Sequence, residues 1–244
     1  MSDLTEVLDA LHAAQRRGVR IVAEPLGKSL LSAVGVAVPD GQVARNTDEV
    51  ERAAASCRLP VMVKTVLEDV AHKSELGGVS GPFHTREEAE GAAREMLDRF
   101  DAPALLEHCH EGGVECFVGL TVDGPYGPVI SVGLGGLWVE VFRDVQHRRA
   151  PLDQTEARQM LMQLRAAPLL RGERGRTLVD LDALAETVAT LSRLVTVPEV
   201  RDMVSELEIN PLSAPTTGAP VALDCALTLT PSPEADIELG EGKS

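Results

Sequence analysis

The chain has 244 residues and a formal net charge of −15. Hydrophobic residues make up 44% of it and charged residues 25%, which excludes a disordered chain, a collagen and a disulfide-rich miniprotein. The strong negative charge argues against nucleic acid or an anionic membrane as the main partner, because both bind basic surfaces.

Apolar periodicity, capping residues and turn signals predict alternating helices and strands along the chain. Helices are predicted at residues 4–17, 28–34, 47–57, 85–100, 154–165 and 181–195. Strands are predicted at residues 60–64, 104–108, 114–122, 128–134, 137–142, 206–210 and 221–227. Because several strands follow one another as hairpin-like pairs, the pattern favours an α/β or α+β fold with mostly antiparallel sheets.

The four cysteines are scattered along the chain without a Cys-x-x-Cys spacing. This pattern is typical of reduced thiols in a cytoplasmic protein. No apolar run approaches the ~18 residues of a membrane span, and the acidic start of the chain does not resemble a signal peptide. We therefore expect a cytoplasmic protein.

The two last predicted strands carry polar side chains that interrupt apolar sequence. Glu208 and Asn210 project from the same face of their strand, because residues two apart share a face. Pro211 is expected to end this strand, and a hairpin would bring Asp224 opposite the two side chains. Two carboxylates and an amide oxygen are ligands that Mg²⁺ accepts. The alternative is a strand end whose Asn caps a turn and whose Asp is exposed.

A lysine and a glycine pair point to anion binding in the first half of the chain. Lys64 ends the apolar strand 60–64, where a buried ammonium group costs free energy unless an anion meets it. Lys73, Gly77 and Gly78 follow, and glycines let backbone N–H groups approach phosphate oxygens closely. The alternatives are a lysine whose ammonium group reaches solvent and a plain glycine turn.

Three histidines lie close to these segments. His72 precedes Lys73 in the polar loop, and histidine is a possible acceptor of phosphate, although most loop histidines are not. His108 and His110 flank a cysteine, but no matching ligand set occurs elsewhere, so we do not predict zinc.

Two glutamates flank a glycine turn between predicted strands. Glu107 lies at the end of one strand and Glu115 at the start of the next. A carboxylate accepts hydrogen bonds from an adenine amino group or from ribose hydroxyls. Two ordinary surface glutamates are the alternative.

Taken in order, these segments resemble the ATP-grasp subunit of the ADP-forming acyl-CoA synthetases (acetate–CoA ligases), which are relatives of the succinyl-CoA synthetase β chain. The resemblance covers about residues 24–229. Its most specific stretches are AHKSELGGV and ELEINPL, supported by LPVMVKTV, LLEHCHEGGVECFVG and VALDCAL.

The resemblance implies an ATP-grasp fold whose two lobes clamp a nucleotide. It implies a first lobe at 21–103 and a second lobe with the metal site at 104–230, while the sequence pattern itself predicts a helical leader at 1–20 and a flexible tail at 231–244. It also implies roles for individual residues: phosphate binding by Lys64, Lys73, Gly77 and Gly78; adenine and ribose contacts by Glu107 and Glu115; Mg²⁺ binding by Asn210 and Asp224, with Glu208 as a further or indirect ligand; and phosphorylation of His72.

The implied activity is acid + CoA + ATP ⇌ acyl-CoA + ADP + phosphate, with ATP or ADP and Mg²⁺ as cofactors. No βαβ unit with a glycine fingerprint is visible in the sequence, so we expect a separate CoA-binding α-type chain that brings the small acid or acyl-CoA. Two alternatives remain: a non-catalytic ATP-binding regulatory or assembly subunit, and another ATP-grasp carboxylate ligase.

Overall fold

The computed structural model describes residues 3–71, 73–136, 142–173 and 178–232. The chain divides into two compact units. The larger unit comprises Met1–Val22, Leu26–Val38 and Gly112–Ser244, and the smaller comprises Ala23–Pro25 and Pro39–Glu111. No helix among the described residues is long and apolar enough to cross a membrane.

The smaller unit is a four-stranded antiparallel sheet packed against two helices. Its elements are β1 (Gly41–Ala44), α3 (Thr47–Ser56), β2 (Val61–Thr65), β3 (Val79–Phe83), α4 (Arg86–Phe100) and β4 (Ala104–His108). The strand order is β1-β4-β2-β3. Small residues of the helices, such as Ala53 and Ala93, pack with Val63 and Leu106 in a buried apolar core.

Capping residues set where the two helices of this unit begin. The Asn46 side chain accepts a hydrogen bond from the Glu49 backbone and so caps α3. Thr85 and Glu88 form the reciprocal capping box that the Thr-x-x-Glu pattern predicts at the start of α4.

Strand β4 belongs to the smaller unit, although the sequence analysis assigned residues from 104 onward to the second lobe. It lies between β1 and β2, with Ala104 opposite both Ala44 and Thr65. Residues 101–103, at the predicted lobe boundary, are therefore the connection between α4 and β4 within one unit. Asp101 ends the helix there in a left-handed backbone conformation (φ 47°).

The larger unit consists of a six-stranded antiparallel sheet and the helices that pack against it. Its helices are α1 (Leu4–Arg16), most of α2 (Glu24–Ala33), α5 (Gln154–Met162), α6 (Ala167–Leu170), α7 (Leu181–Arg193) and α8 (Pro198–Met203). Its strands are β5 (Val114–Thr121), β6 (Val129–Leu134), β7 (Val145–Arg149), β8 (Val204–Ala214), β9 (Val221–Ala222) and β10 (Cys225–Leu229). The order is β10-β8-β5-β6-β7, with β9 paired to β8. The strand predicted at 137–142 falls mainly on residues outside the described part of the chain.

The two faces of this sheet differ in chemistry. Alternate residues such as Val118, Leu120, Leu207 and Ile209 are buried in the core that the helices cover. The opposite face carries the intervening residues, among them Glu208, which lies opposite Gly119 in the register. The sheet therefore presents one apolar face and one face with polar side chains.

Strand β8 does not end at Pro211, so that sequence expectation was wrong. It continues to Ala214 and pairs with β5 on both sides of the proline: Ile209 is opposite Val118, and Leu212 is opposite Cys116. The register shifts by one residue between these pairs, as in a β-bulge. A bulge accommodates a residue that has no N–H to donate, which explains why the ladder survives the proline.

The cysteines provide a test of this fold. Burial raises the pKa of the Cys116 thiol to about 12, whereas Cys109 is only half-buried. Because the thiolate is the reactive form, iodoacetamide at pH 8 should label Cys109 and leave Cys116 unmodified in the native protein. Peptide mass spectrometry reports each site, and the denatured protein, in which all four cysteines should react, is the control. Equal labelling rates at the two positions would contradict the described burial.

Candidate functional site

Lys64 is a buried cation on the middle of the smaller unit's sheet. Strand β2 pairs with both β3 and β4, which places Lys64 opposite Val79 on one side and Leu105 on the other. The residue is only 6% exposed. Its ammonium group lies 2.8 Å from the Glu107 carboxylate, which projects from the neighbouring strand β4. Sequence reasoning identified both residues, and the sheet register brings them together.

A glycine makes room for Glu107. Gly41 lies directly opposite Glu107 in the β1–β4 register. A Cβ atom at residue 41 would come within 2.8 Å of the Glu107 Cβ. Any side chain there would push the glutamate away from Lys64, so Gly41 supports the geometry of the ion pair.

Glu24 is a second buried carboxylate at this position, and the sequence analysis did not identify it. One carboxylate oxygen accepts a hydrogen bond from the Lys64 ammonium group at 2.8 Å, and the other accepts one from Lys73. Glu24 and Lys73 are 3% and 5% exposed. The ion pairs therefore form a buried chain in the order Lys73, Glu24, Lys64, Glu107.

Glu24 was missed because the second helix begins earlier than its sequence pattern predicts. The predicted helix starts at residue 28, after Pro25 and Gly27, whereas α2 begins at Glu24. Proline is well tolerated in the first helical turn, so it did not mark the end of a loop here. The one available signal was an acidic residue beside that proline, which is a common feature of helix starts.

The segment after Lys73 is a tight turn in this structure. The Gly77 and Gly78 N–H groups donate to the carbonyl oxygens of Ser74 and Lys73 at 3.0 and 2.8 Å. A Cβ at Gly78 would lie 2.6 Å from the Thr65 methyl group, so only glycine fits. Whether these N–H groups turn to a phosphate stays a prediction.

His72, the predicted phosphate carrier, lies outside the described residues. The residues on either side of it are described, and Lys73 takes part in the buried ion-pair chain.

In the larger unit, Glu115 and Asn210 meet at a glycine pair. The Asn210 side-chain oxygen accepts a hydrogen bond from the Gly136 N–H at 2.7 Å. A Cβ on Gly136 would lie 2.6 Å from a Glu115 carboxylate oxygen, and Gly136 has φ +62°. A Cβ on the preceding Gly135 would lie 2.5 Å from the Cys116 carbonyl oxygen. Glycine at these two positions therefore leaves space for the Cys116 backbone and the Glu115 carboxylate.

Glu208 and Asp224 are placed near Asn210 by the β8–β10 register. Cys225 is opposite Ile209 and Ala226 is opposite Glu208, so Asp224 lies at the Asn210 end of the ladder. This is the hairpin arrangement that the sequence predicted. One Asp224 carboxylate oxygen accepts a hydrogen bond from the Cys225 N–H at 2.8 Å.

The donor set of these three residues fits Mg²⁺. It offers two carboxylates and an amide oxygen, all hard oxygen ligands, and an amide oxygen that accepts one hydrogen bond retains a second lone pair. No cluster of three or more His, Cys, Asp or Glu side chains suited to a metal occurs within the described residues. The candidate set here has two carboxylates and the Asn210 amide, so it contains fewer than three side chains of those four types. Metal binding at these residues stays a prediction.

The His108 side chain contacts the backbone of the smaller unit. Its Nδ1 lies 3.0 Å from the Arg58 carbonyl oxygen, and its other ring nitrogen contacts the Arg58 guanidinium. Burial lowers the pKa of His110, and the nearby charges of His108 and Arg58 lower it further. The contacts of His108 give it a structural role in the smaller unit.

Comparison with known proteins identifies the family. A family model described as an ATP-grasp domain matches residues 13–229. The chain is 33% identical over 219 residues to the acetate–CoA ligase [ADP-forming] I subunit β of Pyrococcus furiosus, covering 86% of this chain and 92% of that one. It is 36% identical over 204 residues to the acetate–CoA ligase [ADP-forming] I of Archaeoglobus fulgidus, covering 80% of this chain but 29% of that longer protein.

Solved structures agree with this assignment. The dinucleotide-forming acetyl-coenzyme A synthetase 1 of Ca. Korarchaeum cryptofilum, in complex with coenzyme A and Ca-AMPCP, superposes with a TM-score of 0.83 at 31% identity. The match covers 91% of this chain and 99% of that one. A second structure of that synthetase, with coenzyme A and Mg-AMPPCP, gives 0.80 at 30% identity and covers 92% and 100% of the two chains. Its phosphohistidine segment points towards the nucleotide-binding site. The chain belongs to the ATP-grasp family, as a relative of the β subunits of ADP-forming acetate–CoA ligases.

Proposed function

We propose that this chain is the nucleotide-binding subunit of an ADP-forming acyl-CoA synthetase. The reaction is acid + CoA + ATP ⇌ acyl-CoA + ADP + phosphate. The observation that carries the proposal is the pair of buried lysines, Lys64 and Lys73, held within hydrogen-bonding distance of one carboxylate in a chain with this family membership. Two ammonium groups kept out of water are suited to phosphate oxygens.

In this proposal the smaller unit supplies the cations and Glu107. Lys64 and Lys73 bind nucleotide phosphates, and Gly77 and Gly78 approach them with their backbone. Phosphoryl transfer requires mainly positioning and charge stabilisation, so a few fixed donors suffice in spite of the net charge of −15. Glu107 and Glu115 accept hydrogen bonds from the adenine amino group and the ribose hydroxyls.

In the larger unit, Asn210 and Asp224 bind Mg²⁺, with Glu208 as a further or indirect ligand. Bound there, the ion neutralises negative charge on the phosphates. The cross-strand register that puts Asp224 at the Asn210 end of the β8–β10 ladder supports this assignment.

His72 carries the phosphoryl group. A ring nitrogen attacks the phosphorus of an acyl phosphate, and the carboxylate leaves. A terminal phosphate oxygen of ADP then attacks the phosphohistidine, so that the P–N bond breaks, a P–O bond forms and ATP results. The phosphohistidine segment named for the Korarchaeum synthetase supports a phosphohistidine in this family, and the motif AHKSELGGV makes His72 the residue that we assign to it.

A separate CoA-binding chain would make the acyl phosphate. The Pyrococcus relative is named as a β subunit, whereas the Archaeoglobus relative is about three times the length of the matched region. We propose the two-chain arrangement here, with the small acid or acyl-CoA bound by the partner. None of the four cysteines, all in the described part of the chain, forms a disulfide, which supports a reducing cytoplasmic location.

The phosphate role of Lys64 is tested by Lys64→Gln. We expect Mg·ATP affinity, measured by isothermal titration, to fall at least about tenfold, because a hydrogen bond to a charged group is worth ~1.5–3 kcal/mol. The double variant Lys64→Gln/Glu107→Gln removes both members of one ion pair, so it leaves no new unpaired charge at this pair. It should also bind Mg·ATP weakly, and it replaces the single variant if that one does not fold. Glu51→Gln, on an exposed part of α3, is the control. Unchanged affinity in folded variants would remove Lys64 from the phosphate site.

The metal role of Asp224 is tested by Asp224→Asn. Loss of one anionic ligand should raise the Mg²⁺ concentration needed for half-maximal ATP binding roughly tenfold, because the attraction between the ion and the carboxylate is lost. Asp182→Asn is the matched control, since the Asp182 side chain is 75% exposed and pairs with Arg158. Equal Mg²⁺ requirements for the two variants would argue against the site.

The relay is tested by His72→Ala in the complete two-chain enzyme. ADP and ATP should bind as in the natural protein, while acid-labile protein phosphate and acyl-CoA formation disappear. His84→Ala, at an exposed position of the same unit, should behave as the natural protein. Full activity of His72→Ala would refute the relay and favour a different ATP-grasp ligase. Absence of nucleotide binding to the natural protein would favour a non-catalytic subunit.

A further inference from the structure

Glu24 has no place in the function proposed above, yet its side chain is among the most buried charges described. The side chain is 1% exposed. Its two carboxylate oxygens accept hydrogen bonds from two different lysines, Lys64 and Lys73. These are the two cations to which phosphate binding is assigned.

Both ammonium groups already meet carboxylates without a nucleotide. Lys64 pairs with Glu24 and Glu107, Lys73 pairs with Glu24, and each of the four residues is between 3% and 6% exposed. Cations that already face buried carboxylates attract a further anion less strongly. A phosphate that reaches the lysines must therefore either displace a carboxylate or lie beside it against like-charge repulsion.

Glu24 is the carboxylate that competes most directly with phosphate. Glu107 contacts Lys64, whereas Glu24 contacts both ammonium groups with its two oxygens, as two oxygens of one phosphate would. The carboxylate is negatively charged and offers two acceptor oxygens, as a bound phosphate does, and it is part of the protein.

We propose that Glu24 is an internal competitor for phosphate at Lys64 and Lys73, and that it lowers the affinity of the two lysines for any phosphate ligand. Displacing it costs the same free energy for every phosphate ligand. Inorganic phosphate has no other contacts to offset that cost, so it is excluded. A nucleotide still binds, because its base and ribose add contacts of their own. The inference rests on the proposed function, since it takes the two lysines as phosphate ligands.

The test is Glu24→Gln, which keeps the size of the side chain and removes its charge. Isothermal titration of the full chain gives the affinities of inorganic phosphate, tripolyphosphate, Mg·ADP and adenosine. These four ligands separate the contribution of the phosphates from that of the nucleoside. We expect the three phosphate ligands to bind at least about tenfold more tightly than to the natural protein, which corresponds to about 1.4 kcal/mol. Adenosine affinity should not change, because adenosine does not reach the lysines.

Two further variants keep the result interpretable. Glu51→Gln removes a charge from an exposed position of the same unit and should leave every affinity unchanged. Glu24→Asp keeps the charge and shortens the side chain by one methylene, so that it no longer reaches both ammonium groups. It should tighten phosphate binding by a smaller factor, and it replaces Glu24→Gln if that variant does not fold.

The outcomes separate the two proposals. Unchanged or weaker binding of inorganic phosphate and tripolyphosphate in a folded Glu24 variant overturns the inference. If Glu24 had only a structural role, the variant would bind all four ligands more weakly. If the natural protein binds tripolyphosphate but not ADP, the proposed nucleotide function fails while the role of Glu24 is still decided by the inorganic ligands. If neither the natural protein nor the variants bind any phosphate ligand, both proposals fail.

Discussion

A buried ammonium group must be paired, and this requirement organises the smaller unit. Lys64 lies on a central strand of the sheet, where leaving its charge without a partner would be strongly unfavourable. Glu24 and Glu107 supply the partners from a helix start and a neighbouring strand, and Gly41 leaves space for one of them. Buried ion pairs are weak evidence for stability, because desolvation offsets much of their attraction. Their placement here is consistent with the proposed phosphate binding by Lys64 and Lys73.

The larger unit meets a different constraint: the proposed Mg²⁺ site requires oxygen ligands to project from a regular sheet. The bulge at Asn210 and Pro211 changes the register between β5 and β8, and bulges commonly redirect side chains next to functional sites. The close approach of Gly136 to Glu115, and its hydrogen bond to Asn210, place those two side chains at the same turn. The proline that the sequence analysis took for a strand end is thus part of this irregularity.

Local patterns predicted much of the secondary structure. The Thr85–Glu88 capping box, the strand alternation around Glu208 and the hairpin-like pairing towards Asp224 are all confirmed in the structure. Strand β7 was missed, because Val145–Arg149 is a polar edge strand that lacks the apolar alternation of a buried one. The start of α2 was missed because Pro25 and Gly27 resemble a turn.

The sequence by itself determined the family, the fold class and the identity of most candidate residues, since these depend on residue types at fixed spacing along short segments. Only the tertiary structure decided what those residues contact. Glu24 joins Lys64 and Lys73 through side chains that are far apart in sequence, and no local periodicity encodes such a pairing. Charge balance in a buried site is a property of the folded arrangement, because burial itself makes an unpaired charge costly.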